Sequence, residues 1–216
     1  MVRGFEDLVL HDGHATGVTK VLLALILSPI IGFWAAFGLQ RVTGRLLRAA
    51  RPSLNLYLRR GQIATAAWLA FSRGTNDTQK SMGIIALVLV TGSITTSFEV
   101  PFWTILTCGV AMTLGIMSSG WRIVRTVGFG IYKIRPLHAV NAQVTSAAVV
   151  FGAALTGGPI STTHVVCSSI MGIGASERPK AVRWAKAQEI LSTWVITITG
   201  AGTVSILVWL VAQIFI

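Results

Sequence analysis

Charge is scarce in this chain. Asp, Glu, Lys and Arg make up 12% of its 216 residues, about half the share of an ordinary soluble domain. That scarcity, with 53% hydrophobic residues and a mean hydropathy of +0.71, argues against a water-soluble globular fold. Short segments of alternating hydrophobicity are lacking too, which excludes a membrane β-barrel. Apolar runs recur from end to end instead, so the expected class is an all-α integral membrane protein. Only two cysteines occur, Cys108 and Cys167, both within apolar segments. Their spacing supports neither a disulfide nor a metal site, and they read as small packed hydrophobes. A cleavable signal peptide is not expected, because the first apolar run begins near Val18, after a stretch holding Glu6, Asp7 and Asp12.

The charge that is present is strongly basic, +11 net. Such a balance can mark a nucleic-acid partner, but its distribution excludes that class here. Arg41, Arg45, Arg48, Arg51, Arg59 and Arg60 form one cluster. Arg122, Arg125, Lys133 and Arg135 form a second, and Arg178, Lys180, Arg183 and Lys186 a third. Each cluster lies between apolar spans, as cytoplasmic loops do under the positive-inside rule. The expected partners of this charge are anionic lipid headgroups rather than DNA or RNA.

Spans are expected at about 18–39, 62–90, 101–119, 138–155 with 165–175, and 187–216. That is about six membrane segments. Ser28-Pro29 predicts a kink in the first, and Trp103 and Trp121 flank the third as interfacial anchors. The first basic loop, 41–60, has an amphipathic stretch near 41–50 suited to the interface, and Gly200 and Gly202 could loosen the last span. With all basic clusters on the cytoplasmic face, residues 138–175 must leave and return to that face. They therefore read as a re-entrant hairpin broken at Gly157-Gly158-Pro159. The same parity places both termini outside a multi-pass cell-membrane protein, with residues 1–17 as an exterior tail and 18–216 as the membrane domain. His11, Asp12 and His14 in that tail have metal-ligand chemistry but read better as solvated.

Two polar interruptions carry the chemistry. The first is Ser72-Arg73-Gly74-Thr75-Asn76-Asp77-Thr78-Gln79-Lys80-Ser81 within the second span. Ionisable residues at that depth are costly and point to function. Gly74 predicts a helix break, with Asn76 capping a new helix and Gln79 completing a capping box. Asp77 could hold sodium or a proton, helped by Asn76 and unwound carbonyls, while Lys80 either balances Asp77 or attracts an anion. The bland alternative is a capped, kinked helix with Arg73, Asp77 and Lys80 mutually paired.

The second interruption is Gly157-Gly158-Pro159-Ile160-Ser161-Thr162-Thr163-His164. Proline favours the first helical position, which would put Ser161, Thr162 and Thr163 in the opening turn of a half-helix. Free N–H groups and the positive end of the helix dipole suit a tetrahedral oxyanion there. The alternative is a hairpin tip whose hydroxyls cap their own helix. His164 either packs against the hairpin or relays protons.

Phe71–Gly83 and Gly158–His164 closely resemble signatures of the inorganic phosphate transporter (PiT) family, and Gly120–Gly128 looks like a third block between them. The resemblance covers about residues 22–194. It implies secondary transport of inorganic phosphate driven by sodium or protons, with no cofactor. It further implies a fold of two related halves in opposite orientation, each with an Asn-Asp break and a Ser-Thr-Thr-His hairpin. Carried onto this sequence, Ser161, Thr162 and Thr163, with Gln79 and Lys80, would bind phosphate. Asn76 and Asp77, with Thr75, would form the cation or coupling site. The family usually has His in place of Arg73 and Ala in place of Thr78.

Only one copy of each motif occurs, so the chain looks like the C-terminal half of an inverted-repeat transporter. Its one-sided charge opposes pairing with an oppositely inserted copy and favours a separate complementary half. The alternatives are a truncated or non-transporting membrane subunit, and an intramembrane hydrolase using Ser161 or Thr162 with His164 and Asp77. The last lacks any nucleophile-elbow pattern.

Overall fold

The structure is a computed structural model that describes residues 10–11, 14–15, 18–48, 54–95, 99–132 and 134–215. Six helices make up the body: α1 Val18–Leu46, α2 Leu54–Thr91, α3 Phe102–Gly130, α4 Pro136–Leu155, α5 Thr162–Glu177 and α6 Trp184–Phe215. A short 3₁₀ turn, Pro179–Ala181, precedes α6. Two-residue strands β1, Leu10–His11, and β2, His14–Ala15, pair antiparallel within the expected tail. Asp12 lies outside the described residues, as do the Trp121, Arg122 and Arg125 side chains.

Helix α5 is the hub, though it is the shortest of the six. Its residues 167–174 are buried without interruption, so it is covered all round rather than along one stripe. Small residues make this possible. A Cβ added to Gly172 would lie 2.2 Å from the Phe33 carbonyl oxygen of α1, and one on Gly32 would lie 2.9 Å from Ser168 Oγ. The backbones of α1 and α5 thus meet at a contact that only glycine permits, a packing mode typical of membrane helices. Ser169 Oγ donates to Gly32 O across the same contact at 3.3 Å. Cys167 is buried in this core, and both cysteines are free.

Around this hub the outer surface is apolar. Large hydrophobic side chains of α1, α2, α3 and α6 are exposed in long runs, a pattern that in a soluble monomer would exceed any tolerated patch. Among the described residues, three helices are long and apolar enough to cross a membrane: Val21–Leu46, Pro136–Leu155 and Trp184–Gln213. Helix α6 is anchored to the core through its first turns, where Ala187, Ile190 and Trp194 pack.

Among the described residues, the helix ends that carry the basic clusters meet at one end of the bundle. The beginning of α2 meets that of α4 through Gln62 Nε2 donating to Pro136 O at 3.1 Å. The end of α1 meets the end of α5 through Gln40 Nε2 donating to Glu177 Oε1 at 2.9 Å. The segment after α3 joins the one before α6 through Arg183 N–H and Ile131 O, 3.0 Å apart.

Several expectations need correction. Helix α2 is not broken: it runs unbroken for 38 residues. A helical glycine costs only about 1 kcal/mol against alanine, and the neighbouring hydroxyls bond back into the helix. Ser72 Oγ donates to Trp68 O and Thr75 Oγ1 to Ser72 O. Asn76 therefore caps nothing. At about 57 Å, α2 exceeds the hydrocarbon thickness and absorbs the end of the first basic loop. The stretch near 41–50 is no separate interfacial helix, since α1 continues to Leu46. Helix α1 also passes through Pro29 without interruption, and α6 through Gly200 and Gly202.

Candidate functional site

Helix α4 ends in a Schellman arrangement at the hairpin tip. Gly157 has φ +63°, a conformation glycine adopts without strain. Its N–H bonds to Ala154 O at 3.3 Å, and Gly158 N–H bonds to Ala153 O at 2.8 Å. Residues 158–161 are then extended, and α5 begins at Thr162 with Ser161 as its N-cap. Pro159 is thus not the first helical residue as expected. It follows the stop of α4 instead, where proline is also common. The start of α5 lies three residues later than expected, so Ser161, Thr162 and Thr163 occupy the N-cap and the first two helical positions.

These hydroxyls do not cap α5. The Ser161 side chain makes no capping bond. Thr162 Oγ1 instead donates to Asp77 Oδ2 at 3.1 Å, and Thr163 Oγ1 accepts from Arg73 Nη2 at 3.3 Å. The two interruptions face each other, with the polar face of α2 lying along the hairpin tip. Lys80 Nζ donates both to Asp77 Oδ1, at 3.1 Å, and to the Ile160 carbonyl. Asn76 Nδ2 reaches Gly158 O at 3.5 Å. Carbonyls that the extended tip exposes are thus satisfied by α2 side chains, which matters because an unmet buried acceptor costs about 1–3 kcal/mol.

The Asp77 carboxylate is the centre of this network. Lys80 holds one oxygen and Thr162 the other, and Arg73 Nε stands 3.7 Å from Oδ2. That last separation is an ion-pair contact too long for a hydrogen bond. Arg73 Nε and Asn76 Oδ1 are therefore buried polar atoms without a hydrogen-bond partner, a rare condition that calls for an explanation. Beside them is a cavity of about 250 Å³ lined by Asn76, Gln79, Lys80, Gly157, Gly158 and Pro159 among others. Of the residues expected to bind phosphate, Gln79 and Lys80 line this cavity. Thr162 and Thr163 lie in the adjoining network, with Ser161 before them at the N-cap, and none of the three lines the cavity. Thr75 turns its hydroxyl into its own helix.

His164 stacks on Trp194 of α6, with ring centroids 3.6 Å apart and planes 19° apart. It thereby joins the hairpin to α6, where the packing reading had placed it against the hairpin itself. No group of three His, Cys, Asp or Glu suited to a metal ion occurs among the described residues.

Sequence reasoning missed a second polar hub, at the basic end. Glu177 Oε1 accepts from Gln40 and pairs with His138 Nε2, each at 2.9 Å, and Oε2 accepts from Tyr132 at 3.2 Å. Because Arg135 N–H donates to His138 Nδ1, a neutral His138 carries its proton on Nε2 and donates it to Glu177. Asn141 Nδ2 extends the hub to Gln40 Oε1 and Thr43 Oγ1. Burial works to raise the Glu177 carboxyl, but hydrogen bonds from His138, Tyr132 and Gln40, with the electrostatic attraction of the His138 ring, outweigh it and hold the group below its ordinary value. Burial and Glu177 together push Tyr132 above its own. Polar Gln40 and Asn141 at the edge of apolar windows were the available signal.

The comparisons with known proteins agree with one another. A model described as the Phosphate transporter family matches residues 2–205. A "Probable low-affinity inorganic phosphate transporter" of Bacillus subtilis (strain 168) is 44% identical over 90% of this chain and 59% of its own length. One so named from Rhizobium meliloti (strain 1021) is 38% identical over 98% of this chain and 62% of its own. A solved structure titled "The sodium-dependent phosphate transporter" superposes with a TM-score of 0.60 at 22% identity, over 82% of this chain and 52% of that one. The chain thus spans about six-tenths of the length of the curated relatives it matches. The family is one of transporters and not of enzymes, which leaves the hydrolase alternative without support. An all-helical membrane fold, a family model matching nearly end to end and relatives of one description together establish that this chain belongs to the phosphate transporter family.

Proposed function

We propose that the chain takes part in cation-coupled transport of inorganic phosphate across the cell membrane, acting together with a complementary half. The observation that carries this reading is the engagement of Asp77, Arg73 and Lys80 with the tip of the hairpin, where Thr162 and Thr163 turn away from capping and toward α2. Phosphate binds between Gln79, Lys80 and the hydroxyls of Ser161, Thr162 and Thr163. Asp77, with Asn76 and Thr75, forms the coupling site. A sodium ion or a proton arriving at the Asp77 carboxylate competes with Lys80 and Arg73 for the same oxygens. Both side chains are thereby released toward the anion, and cation and phosphate bind together. The basic end faces the cytoplasm, both termini face outward, and the α4–α5 hairpin is re-entrant.

Labelled phosphate uptake into proteoliposomes tests this, with the chain alone and with a complementary half. Uptake is expected with the pair and is abolished by Asp77→Asn and by Ser161→Ala. Absence of uptake in both preparations would overturn the transport reading. Uptake that survives both substitutions would overturn the site. The alternative reading is a non-transporting membrane subunit. It predicts stable association with the other half and no change in uptake when Asp77 is replaced.

A further inference from the structure

A cavity of about 500 Å³ opens at the basic end, between the end of α1 and the end of α5. Four arginines line it: Arg41, Arg45 and Arg48 from α1 and the turn after it, and Arg178 from the cap of α5. Spacings of four and three residues put the first three on one helical face. Gly44, on the same face, leaves open space where a side chain would begin. Arg41 lies over the Phe37 ring, 4.6 Å from its centroid, which fixes the orientation of its guanidinium.

The wall holds one acid, Glu177, and both of its oxygens are already taken by Gln40, His138 and Tyr132. Among the described residues none of the four arginines is within ion-pair distance of a carboxylate. The negative ends of α1 and α5 favour nearby cations, but only within the last turn and by about 0.3–1 kcal/mol each at the surface. That does not account for four guanidiniums converging on one cavity without a counter-ion. The guanidinium fork matches phosphoryl oxygens in pairs, and basic pockets between membrane helices on one face are sites for phosphorylated headgroups.

We propose that this cavity is a second anion site that binds a phosphoryl group, distinct from the one between α2 and the hairpin tip. The group belongs either to an anionic phospholipid or to free inorganic phosphate. The full chain is reconstituted in two kinds of nanodisc, zwitterionic and doped with phosphatidylglycerol. Retained phosphatidylglycerol is counted by mass spectrometry after delipidation, and inorganic phosphate is titrated in the zwitterionic discs. The Arg45→Gln/Arg48→Gln pair is expected to lower retention or phosphate affinity at least tenfold, while Arg59→Gln, outside the cavity lining, leaves that binding unchanged. Loss in the lipid arm assigns a headgroup, and loss in the phosphate arm assigns the free ion. If that pair fails to fold, Arg41→Gln/Arg178→Gln removes the charge of the cavity from both walls and is read identically. No loss in either arm overturns the proposal, as does an equal loss on Arg59→Gln, which would trace the binding to the basic end as a whole.

Discussion

Breaking the contact between Asp77 and Lys80 tests whether the two interruptions are one energetic unit. Asp77→Asn preserves volume and leaves Thr162 an acceptor, but it strips the counter-ion from Lys80 and Arg73. The Asp77 side chain is 19% exposed, Arg73 31% and Lys80 37%. The network is therefore neither a surface pair, worth about 0.2–1 kcal/mol, nor a buried one, where losing a partner costs about 3–5 kcal/mol. A cost of about 1–3 kcal/mol is expected for Asp77→Asn. Lys80→Met should cost a similar amount, because it also leaves the Ile160 carbonyl without its donor.

The double variant should cost less than the sum, by a coupling of about 1–2 kcal/mol, because the second change removes a charge already left unpaired. For a chain of this size each kcal/mol moves a thermal midpoint by about 2–4 °C. The assay is thermal unfolding of detergent-solubilised protein followed by tryptophan fluorescence, at one heating rate, for all four members of the cycle. Single variants are expected about 2–10 °C below wild type, with the double well above their summed loss. Additivity within about 0.5 kcal/mol would refute the reasoning, because side chains sharing a contact of 3.1 Å cannot act independently.

Four further outcomes follow from the packing and the basic end. Gly172→Ala drives a Cβ into the Phe33 carbonyl, so α1 and α5 must separate at a cost of about 1–3 kcal/mol. Gly38→Ala, with open space around it, should be neutral or mildly stabilising in the same thermal assay. Gly157→Ala meets no steric contact but must hold φ +63°, and a loss of about 1–2 kcal/mol is expected from backbone strain alone. Glu177 titrates below its ordinary value in the folded chain. Its contribution is therefore present at neutral pH and is lost as pH falls below about 4.3, the unfolded value, through the folded one. The midpoint of the wild type should drop more steeply there than that of Glu177→Gln, and equal slopes would remove the hub from the stability of the basic end.

How much was legible in the sequence depended on whether a feature is local. The membrane class follows from composition, and the assignment of the three basic clusters to one face follows from the positive-inside rule, with which chain parity is consistent. The hairpin stop was visible because Gly157-Gly158-Pro159 encodes it within three residues. The supposed break at Gly74 failed for the opposite reason. A glycine among polar residues looks like a helix end, yet whether a helix breaks depends on where its polar groups find partners. Asn76 and Lys80 find theirs some eighty residues away, on Gly158 O and Ile160 O, and so have no need to unwind α2. The Glu177 hub was illegible on the same ground, since Gln40, Tyr132, His138 and Asn141 converge only after four segments have packed.

The charges at the hairpin tip sharpen what that site selects. Arg73 and Lys80 are two fixed cations against one carboxylate, Asp77, and among the described residues no other salt bridge reaches them. The surplus is one positive charge, held where burial makes an uncompensated ion expensive. The positive end of α5 adds to it rather than offsetting it. A neutral ligand would leave the surplus in place, and a cation would increase it. A monovalent or divalent oxyanion removes it, and a cation bound at the same time as a divalent one restores neutrality again. For a divalent oxyanion, charge balance at Arg73, Asp77 and Lys80 would favour binding together with a cation over binding alone, which is the thermodynamic condition that the proposed coupling requires.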